Sequence, residues 1–356
     1  MKPRLHWAAA AAAALVLAAC GGGSDDAPIR SVRVVGDSLS DSGTFGLKYT
    51  VQGAAATGAG STPIWPERVA AQYGQSLCAH YVATPTGFAN DASCTNYAVA
   101  GGAINFTRAP TAPQSIIQQL KDAGVNGYGQ GDLLLVDGGA SYAALLGTLL
   151  DAGAVQRFLA GGTEGAAQAG GAYMQALAVR FAETIRTHAL DRGARHVSIL
   201  NMPGVTLTPK FRMVLGSIAQ SRGEAAAAQA EALFDAWVQA FNARLAAEFA
   251  GVGAVRVVDF YGAFKDQYTR PAEYGYTDVR RPACPVTGVD GSGLPTYDMR
   301  ACTASALSQM TPPAGATGGA NWWKTFAFSD SFHPTPYAHQ LMGDMVIRDL
   351  ERAGWR

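Results

Sequence analysis

Apolar residues along this chain follow two rhythms. Short β-branched and leucine-rich runs, Ser31 to Val35, Leu133 to Val136, Val197 to Leu200 and Val255 to Val258, predict strands, the last of them the final strand of the chain. Leu133-Leu134-Leu135-Val136 has no polar alternation, the pattern of a central parallel strand covered on both faces. Between these runs the spacing changes to that of helices. Ile64-Trp65-Pro66-Glu67 opens one that ends near Gly74, and Ile116, Ile117 and Leu120 share a face between Gln114 and Ala123. Met174, Leu177, Phe181 and Ile185 mark another from Ala172 to Arg192, stopped by Gly193. Phe234, Trp237, Val238, Phe241, Leu245 and Phe249 line a long helix from about Glu224 to Ala250. Gly161 to Gly171, rich in Gly and Ala, predicts a loop between helices, and Asn96 to Val99 a short extended segment. Thr335-Pro336 sets a capping residue before a proline and starts a final helix to about Arg352. Strands alternating with helices predict an α/β fold with a parallel sheet and helices on both faces. Gly262 to Asn321, long and rich in Gly and Pro, reads as an excursion from that domain and not as a second one.

The N-terminus stands outside this pattern. Lys2 and Arg4 precede an apolar stretch, Trp7 to Leu17, too short to span a bilayer as a helix. Leu17-Ala18-Ala19-Cys20 follows and resembles a bacterial lipobox, in which Cys20 is lipidated and becomes the new N-terminus. The other reading is an ordinary secretory signal with an incidental cysteine; both export the protein. Residues 1–20 are then a signal peptide, 21–30 a flexible tether and 31–356 one domain. Gly21 after the cysteine, where an Asp would retain a lipoprotein at the inner membrane, directs the lipidated form to the outer membrane or cell surface; without the lipid it is periplasmic or secreted.

Length and composition support one large domain. The chain has 356 residues, 48% of them hydrophobic and 15% charged, enough for a sizeable core. Twenty-seven basic residues balance 27 acidic ones, which leaves no electrostatic footprint for nucleic acid. Export makes the remaining cysteines readable. Cys78, Cys94, Cys284 and Cys302 permit three disulfide pairings, of which the two local pairs are simplest. A zinc site lacks the C-x-x-C spacing, and free thiols do not suit an oxidising compartment.

Three sequence blocks carry chemistry. Gly36-Asp37-Ser38-Leu39-Ser40-Asp41-Ser42-Gly43 follows the first strand, so Ser38 sits at a carboxyl end, where open α/β sheets place ligands. Asn96-Tyr97-Ala98-Val99-Ala100-Gly101-Gly102-Ala103 comes second, and Asp330-Ser331-Phe332-His333-Pro334-Thr335 last. Together they resemble three of the four motif blocks of the SGNH (GDSL) hydrolases. Asn201-Met202-Pro203-Gly204 to Pro209, and Pro271-Ala272-Glu273-Tyr274-Gly275-Tyr276, are similar to the lipase/esterase branch of that family. The similarity spans about Val32 to Arg352. It implies a three-layer α/β/α sandwich of the flavodoxin-like SGNH type and a serine esterase acting on small-molecule or lipid esters, with no metal and no organic cofactor.

The roles follow from the resemblance and from chemistry. Ser38 would be the nucleophile, weak alone and in need of a base. His333 would take its proton and return one to the leaving alcohol, while Asp330 holds the imidazole. The backbone N–H groups of Ser38 and Gly101 would form the oxyanion hole, glycine at 101 letting the backbone approach the reacting carbon. Asp37 reads better as a helix cap than as a catalytic group. His80, His188, His196 and His339 have no motif and read as structural.

One block departs from the family. Its third motif, Gly-x-Asn-Asp, supplies an Asn oxyanion donor. Here Val136-Asp137-Gly138-Gly139-Ala140-Ser141-Tyr142 has Ser141 in that position and Tyr142 in place of the Asp. Ser141 keeps a donor hydroxyl and either substitutes in part or has no role. Asp137 binds either a polar substrate group or a backbone N–H. Trp65, Tyr142, Trp322 and Trp323 either line an acyl pocket or pack in the core. Two rivals to the esterase remain: an acyltransferase of the same fold, and a surface binding lipoprotein with a weakened site. Acyl length, alcohol and oligomeric state are not written in the sequence.

Overall fold

The computed structural model describes residues 27–54, 62–104, 106, 109–138 and 162–356. Cys20, the tether up to residue 26, and Gly139, Ser141 and Tyr142 therefore lie outside the described residues. The strands in chain order are β1 (Ser31–Val35), a hairpin of β2 (Tyr81–Thr84) and β3 (Gly87–Asn90), then β4 (Asp132–Asp137), β5 (His196–Leu200) and β6 (Val255–Val258). A parallel sheet of order β1-β4-β5-β6 forms the centre, with Val35 opposite Val136 and Val136 opposite Ile199.

Period-two alternation divides this sheet between two cores. Leu134 and Val136 face one side with Val197 and Ile199, against Ile116, Phe181 and Phe241 of the helices Ile116–Ala123, Gly162–His188 and Glu224–Glu248. Leu133 and Leu135 face the other, with Val34, against Trp65 and Val346 of the helices Trp65–Gln72 and Pro336–Arg352. The result is three layers, as predicted, and the continuous apolar run of β4 is buried on both faces because both are covered. Thr335 caps the last helix, its hydroxyl accepting from Ala338 N at 3.2 Å with Pro336 in the first turn. Among the described residues no helix is long and apolar enough to cross a membrane.

Two expectations fail. The Gly/Ala-rich stretch is no loop: residues 162–171 form the first turns of the helix Gly162–His188. Its alanines favour a helix, and Gly170 has a packing reason, since a Cβ there would sit 2.0 Å from the Trp237 indole. Nor is β6 the last strand. β7 (Asp278–Pro282), β8 (Val286–Val289) and β9 (Pro295–Tyr297) lie in the excursion, and β10 (Phe326–Phe328) pairs in parallel with β7. Ala283, Met299 and Leu307 of the excursion share a small core with Val51, Trp322, Trp323 and Phe326 from the segments around it. A helix not foreseen, Pro209–Arg222, precedes Glu224–Glu248 and is separated from it by Gly223 at φ 89°.

Disulfides join Cys78 to Cys94 and Cys284 to Cys302, the local pairing. Asn96 to Val99 is extended but contributes only isolated bridges, from Asn96 to Val34 and to Ala79.

Candidate active site

Ser38 stands three residues past the end of β1, in a turn whose amides are nearly all engaged. Gly36 N donates to Gln119 Oε1 at 2.8 Å, Asp37 N to Asp137 Oδ1 at 3.2 Å and Leu39 N to Asp37 Oδ1 at 2.8 Å. Asp37 therefore caps this turn and not a helix, since none begins here. Asp41 accepts from Gly43 N and Thr44 N through Oδ1 and from Ala100 N at 2.8 Å through Oδ2. Asn96 Nδ2 donates to Ser40 O and to Ser42 Oγ, both at 2.7 Å. The first two sequence blocks are thus laced together by polar side chains of the blocks themselves. Asp41 and Asn96 lie within the first two blocks but have no role assigned from the sequence, and Gln119 lies in no block.

The third block comes from the opposite end of the chain. Ser329 N donates to His333 O at 2.7 Å and closes the loop 329–333 on itself. Inside it, Asp330 Oδ1 accepts from Phe332 N at 2.7 Å and His333 N at 2.6 Å, while Oδ2 lies 2.7 Å from His333 Nδ1. His333 Nε2 then reaches Ser38 Oγ at 2.8 Å. A hydroxyl, an imidazole and a carboxylate from positions 38, 333 and 330 are so brought into one hydrogen-bonded line. Burial alone would raise the Asp330 carboxyl, but the imidazole and the two amides outweigh it and hold the group below its ordinary value. Tyr49 packs on His333 with ring centroids 5.0 Å apart.

Gly101 occupies a left-handed turn at φ +78°. The amides on either side of it are taken, Ala100 N by Asp41 and Gly102 N by Val99 O, whereas that of Gly101 has no acceptor among the described residues. The reason for glycine at 101 is this positive φ. Close approach belongs to Gly102, where a Cβ would lie 2.7 Å from Gly36 O.

Asp137 resolves toward the backbone reading. Its Oδ1 takes Asp37 N and its Oδ2 takes the Ser40 hydroxyl, which itself accepts Trp65 Nε1 at 3.0 Å. Trp65, Trp322 and Trp323 belong to the cores, at most 2% exposed, and none of the three lines an acyl pocket. Trp322 and Trp323 direct their indole N–H groups at Leu307 O and Ser308 Oγ. A small hollow beside the Ser38 turn is lined by Leu39, Gly138, Leu200, Met202, Phe241 and Phe260.

The other histidines stay outside the line. His339 is fully buried, accepts Trp65 N at 3.4 Å and is pushed down to about 3 by desolvation, with Arg68, His333 and Lys48 adding to it. It remains a neutral structural group. Among the described residues no cluster of His, Cys, Asp and Glu could hold a metal ion.

No protein with a curated description matches the chain. A family model, GDSL-like Lipase/Acylhydrolase, matches residues 32–346, which includes all three blocks and nearly all of the fold described above. The chain therefore belongs to the GDSL-like lipase/acylhydrolase family of hydrolases.

Proposed function

We propose that the protein is an exported serine esterase that cleaves carboxylic esters through an acyl-enzyme on Ser38. The observation that carries this reading is the line Asp330–His333–Ser38, with its 2.7 and 2.8 Å links. Ser38 Oγ attacks the ester carbonyl as His333 Nε2 takes its proton. Asp330 holds Nδ1–H and stabilises the imidazolium that forms. Nε2 then protonates the departing alcohol, and a water activated by the same nitrogen releases the acid. The N–H groups of Ser38 and Gly101 receive the oxyanion, and the Ser141 hydroxyl takes the place of the family Asn as a third, weaker donor. Loss of one such donor lowers turnover by about 10²–10³-fold, so Ser141→Ala tests this part directly and Ser141→Asn should raise turnover.

Cys20 carries a lipid anchor in this reading, and export is supported by the two disulfides, which persist in oxidising compartments. The decisive experiment is hydrolysis of p-nitrophenyl esters from acetate to palmitate by protein starting after Cys20, beside its Ser38→Ala variant. Turnover by the first and not by the second supports the nucleophile, and the best chain length sizes the acyl site. Silence of both across the series would remove the esterase assignment.

A further inference from the structure

Beneath the nucleophile lie two carboxyl groups that the triad does not use. β1 and β4 run parallel in a register that sets Val35 opposite Val136, so the next residues of each strand end, Gly36 and Asp137, meet at the edge of the site. Gly36 is what lets the Asp137 carboxylate in: a Cβ there would stand 2.1 Å from Asp137 Oδ2. Once in place, Asp137 grips the nucleophile turn on both sides of Ser38, through the amide of Asp37 and the hydroxyl of Ser40. Asp37 itself is 1% exposed, and its Oδ2 is sealed from solvent and accepts from no N–H or O–H. An oxygen in that condition is expensive as an acceptor but satisfied as a donor, when it carries a proton. The neighbouring carboxylate able to accept that proton is Asp137, whose Oδ1 already takes the Asp37 amide at 3.2 Å.

We propose that Asp37 and Asp137 form a proton-sharing acid pair that positions Ser38, with Asp37 carrying the shared proton and Asp137 the clamp on the turn. Two neighbouring carboxyls in one buried site do not both ionise. The groups around the pair favour the same state. Asp41, on the same turn, adds a second negative charge, whereas the residues that pack here from the helices Ile116–Ala123 and Trp65–Gln72 are neutral: Gln119 accepts Gly36 N, and Trp65 Nε1 donates to Ser40 Oγ. His339, from the last helix, is neutral and contacts the Trp65 backbone. Burial first, then Asp137, raise the Asp37 carboxyl well above its ordinary value.

Asp137 is a positioning residue here, and its part in catalysis rests on Ser38 being the nucleophile. The shared proton does not. The folded protein would hold a proton on Asp37 that the unfolded chain releases, so wild-type stability should fall as pH rises above the ordinary carboxylate range, up to the raised value of Asp37. Urea unfolding from pH 4 upward should show this slope in wild type and lose one proton of it in Asp37→Asn. An identical slope in the two proteins would overturn the shared proton. For the clamp, Asp137→Asn should lower kcat on p-nitrophenyl acetate by roughly ten- to a hundredfold, with little change in KM, as expected of a displaced nucleophile. Unchanged kcat would overturn the clamp. If wild type turns over no ester at all, the esterase assignment fails separately, and the unfolding slope still decides the acid pair.

Discussion

Asp37 and Asp330 are both buried carboxyls of one site, 1% and 8% exposed, yet they are displaced in opposite directions. Burial pushes each upward. For Asp37 it is reinforced by Asp137 and Asp41 against a single amide, from Leu39. For Asp330 it is overcome by His333 and by the amides of Phe332 and His333. What surrounds a buried acid, and not its depth, sets the sign of the shift. The same contrast separates the two arms of the site. The Ser38 arm stands on the central sheet, and its buried acid is pushed toward the protonated form. The acid–base arm is a short loop outside that sheet and uses an ionised acid as an orienting charge.

The largest expected effect comes from abolishing the charge on the acid–base arm. Asp330→Asn keeps the shape but offers His333 Nδ1 the wrong partner, and kcat should drop about 10⁴-fold with KM nearly unchanged. Stability tells the two acids apart in pH. Asp330 has a lowered folded value, so its contribution is present above the ordinary carboxylate range and is lost as pH falls through that lowered value. Asp37 works with the opposite sign, as argued above. Acid unfolding of Asp330→Asn should therefore be shallower than that of wild type at the low end of the pH range, a region where Asp37→Asn and wild type should differ least. Parallel acid limbs for Asp330→Asn and wild type would break the contrast.

Next in size is the nucleophile arm. Gly36→Ala leaves the triad residues in place but sets a methyl where the Asp137 carboxylate now lies. Either the turn moves away from β4 or the Asp137 carboxylate swings out of its clamp, and a resulting shift of about 1 Å at Ser38 is worth on the order of 10²-fold in kcat. A fluorophosphonate probe of Ser38 reads the same displacement without any ester. Wild-type labelling rates in Gly36→Ala would mean that the turn yields without moving the hydroxyl.

These two arms were not equally legible in the sequence. Ser38, Asp330 and His333 could be found because each sits in a local motif, and the four long sheet strands because their apolar runs are local too. The Asp37–Asp137 pair could not, since its members are 100 positions apart and meet through the parallel register of β1 and β4. Gly170 misleads for a related reason: its small size serves the Trp237 indole on another helix, whereas in sequence it reads as a helix breaker. Trp322 and Trp323 look like pocket walls by their closeness to a motif, but they fill the core against which the excursion packs. Period and motif report what a residue does for its neighbours in sequence. They are silent on which distant backbone it must let pass.

The two disulfides offer the finest test of the comparison, because their expected effects on stability are alike. They close loops of sequence separation 16 and 18, each worth ~3 kcal/mol in the chain-entropy model. Their neighbourhoods differ. Cys284 N donates to Ser329 O at 2.7 Å, one residue from Asp330, and Cys302 O accepts Gln52 N, three residues from Tyr49. The bridge thus braces the loop that holds Asp330 and His333, where the four-stranded sheet gives no support. Cys78 O accepts Asn96 N at 3.2 Å, and Asn96 in turn holds Ser40 O and Ser42 Oγ. That path also ends at the site, but on the arm already fixed by β1, β4 and the Asp137 clamp. Cys78→Ala/Cys94→Ala and Cys284→Ala/Cys302→Ala should then lower urea midpoints by similar amounts, while kcat at low temperature falls several-fold only in the second. A kcat loss of equal size in both would mean that the sheet holds the nucleophile no more firmly than the loop holds its base.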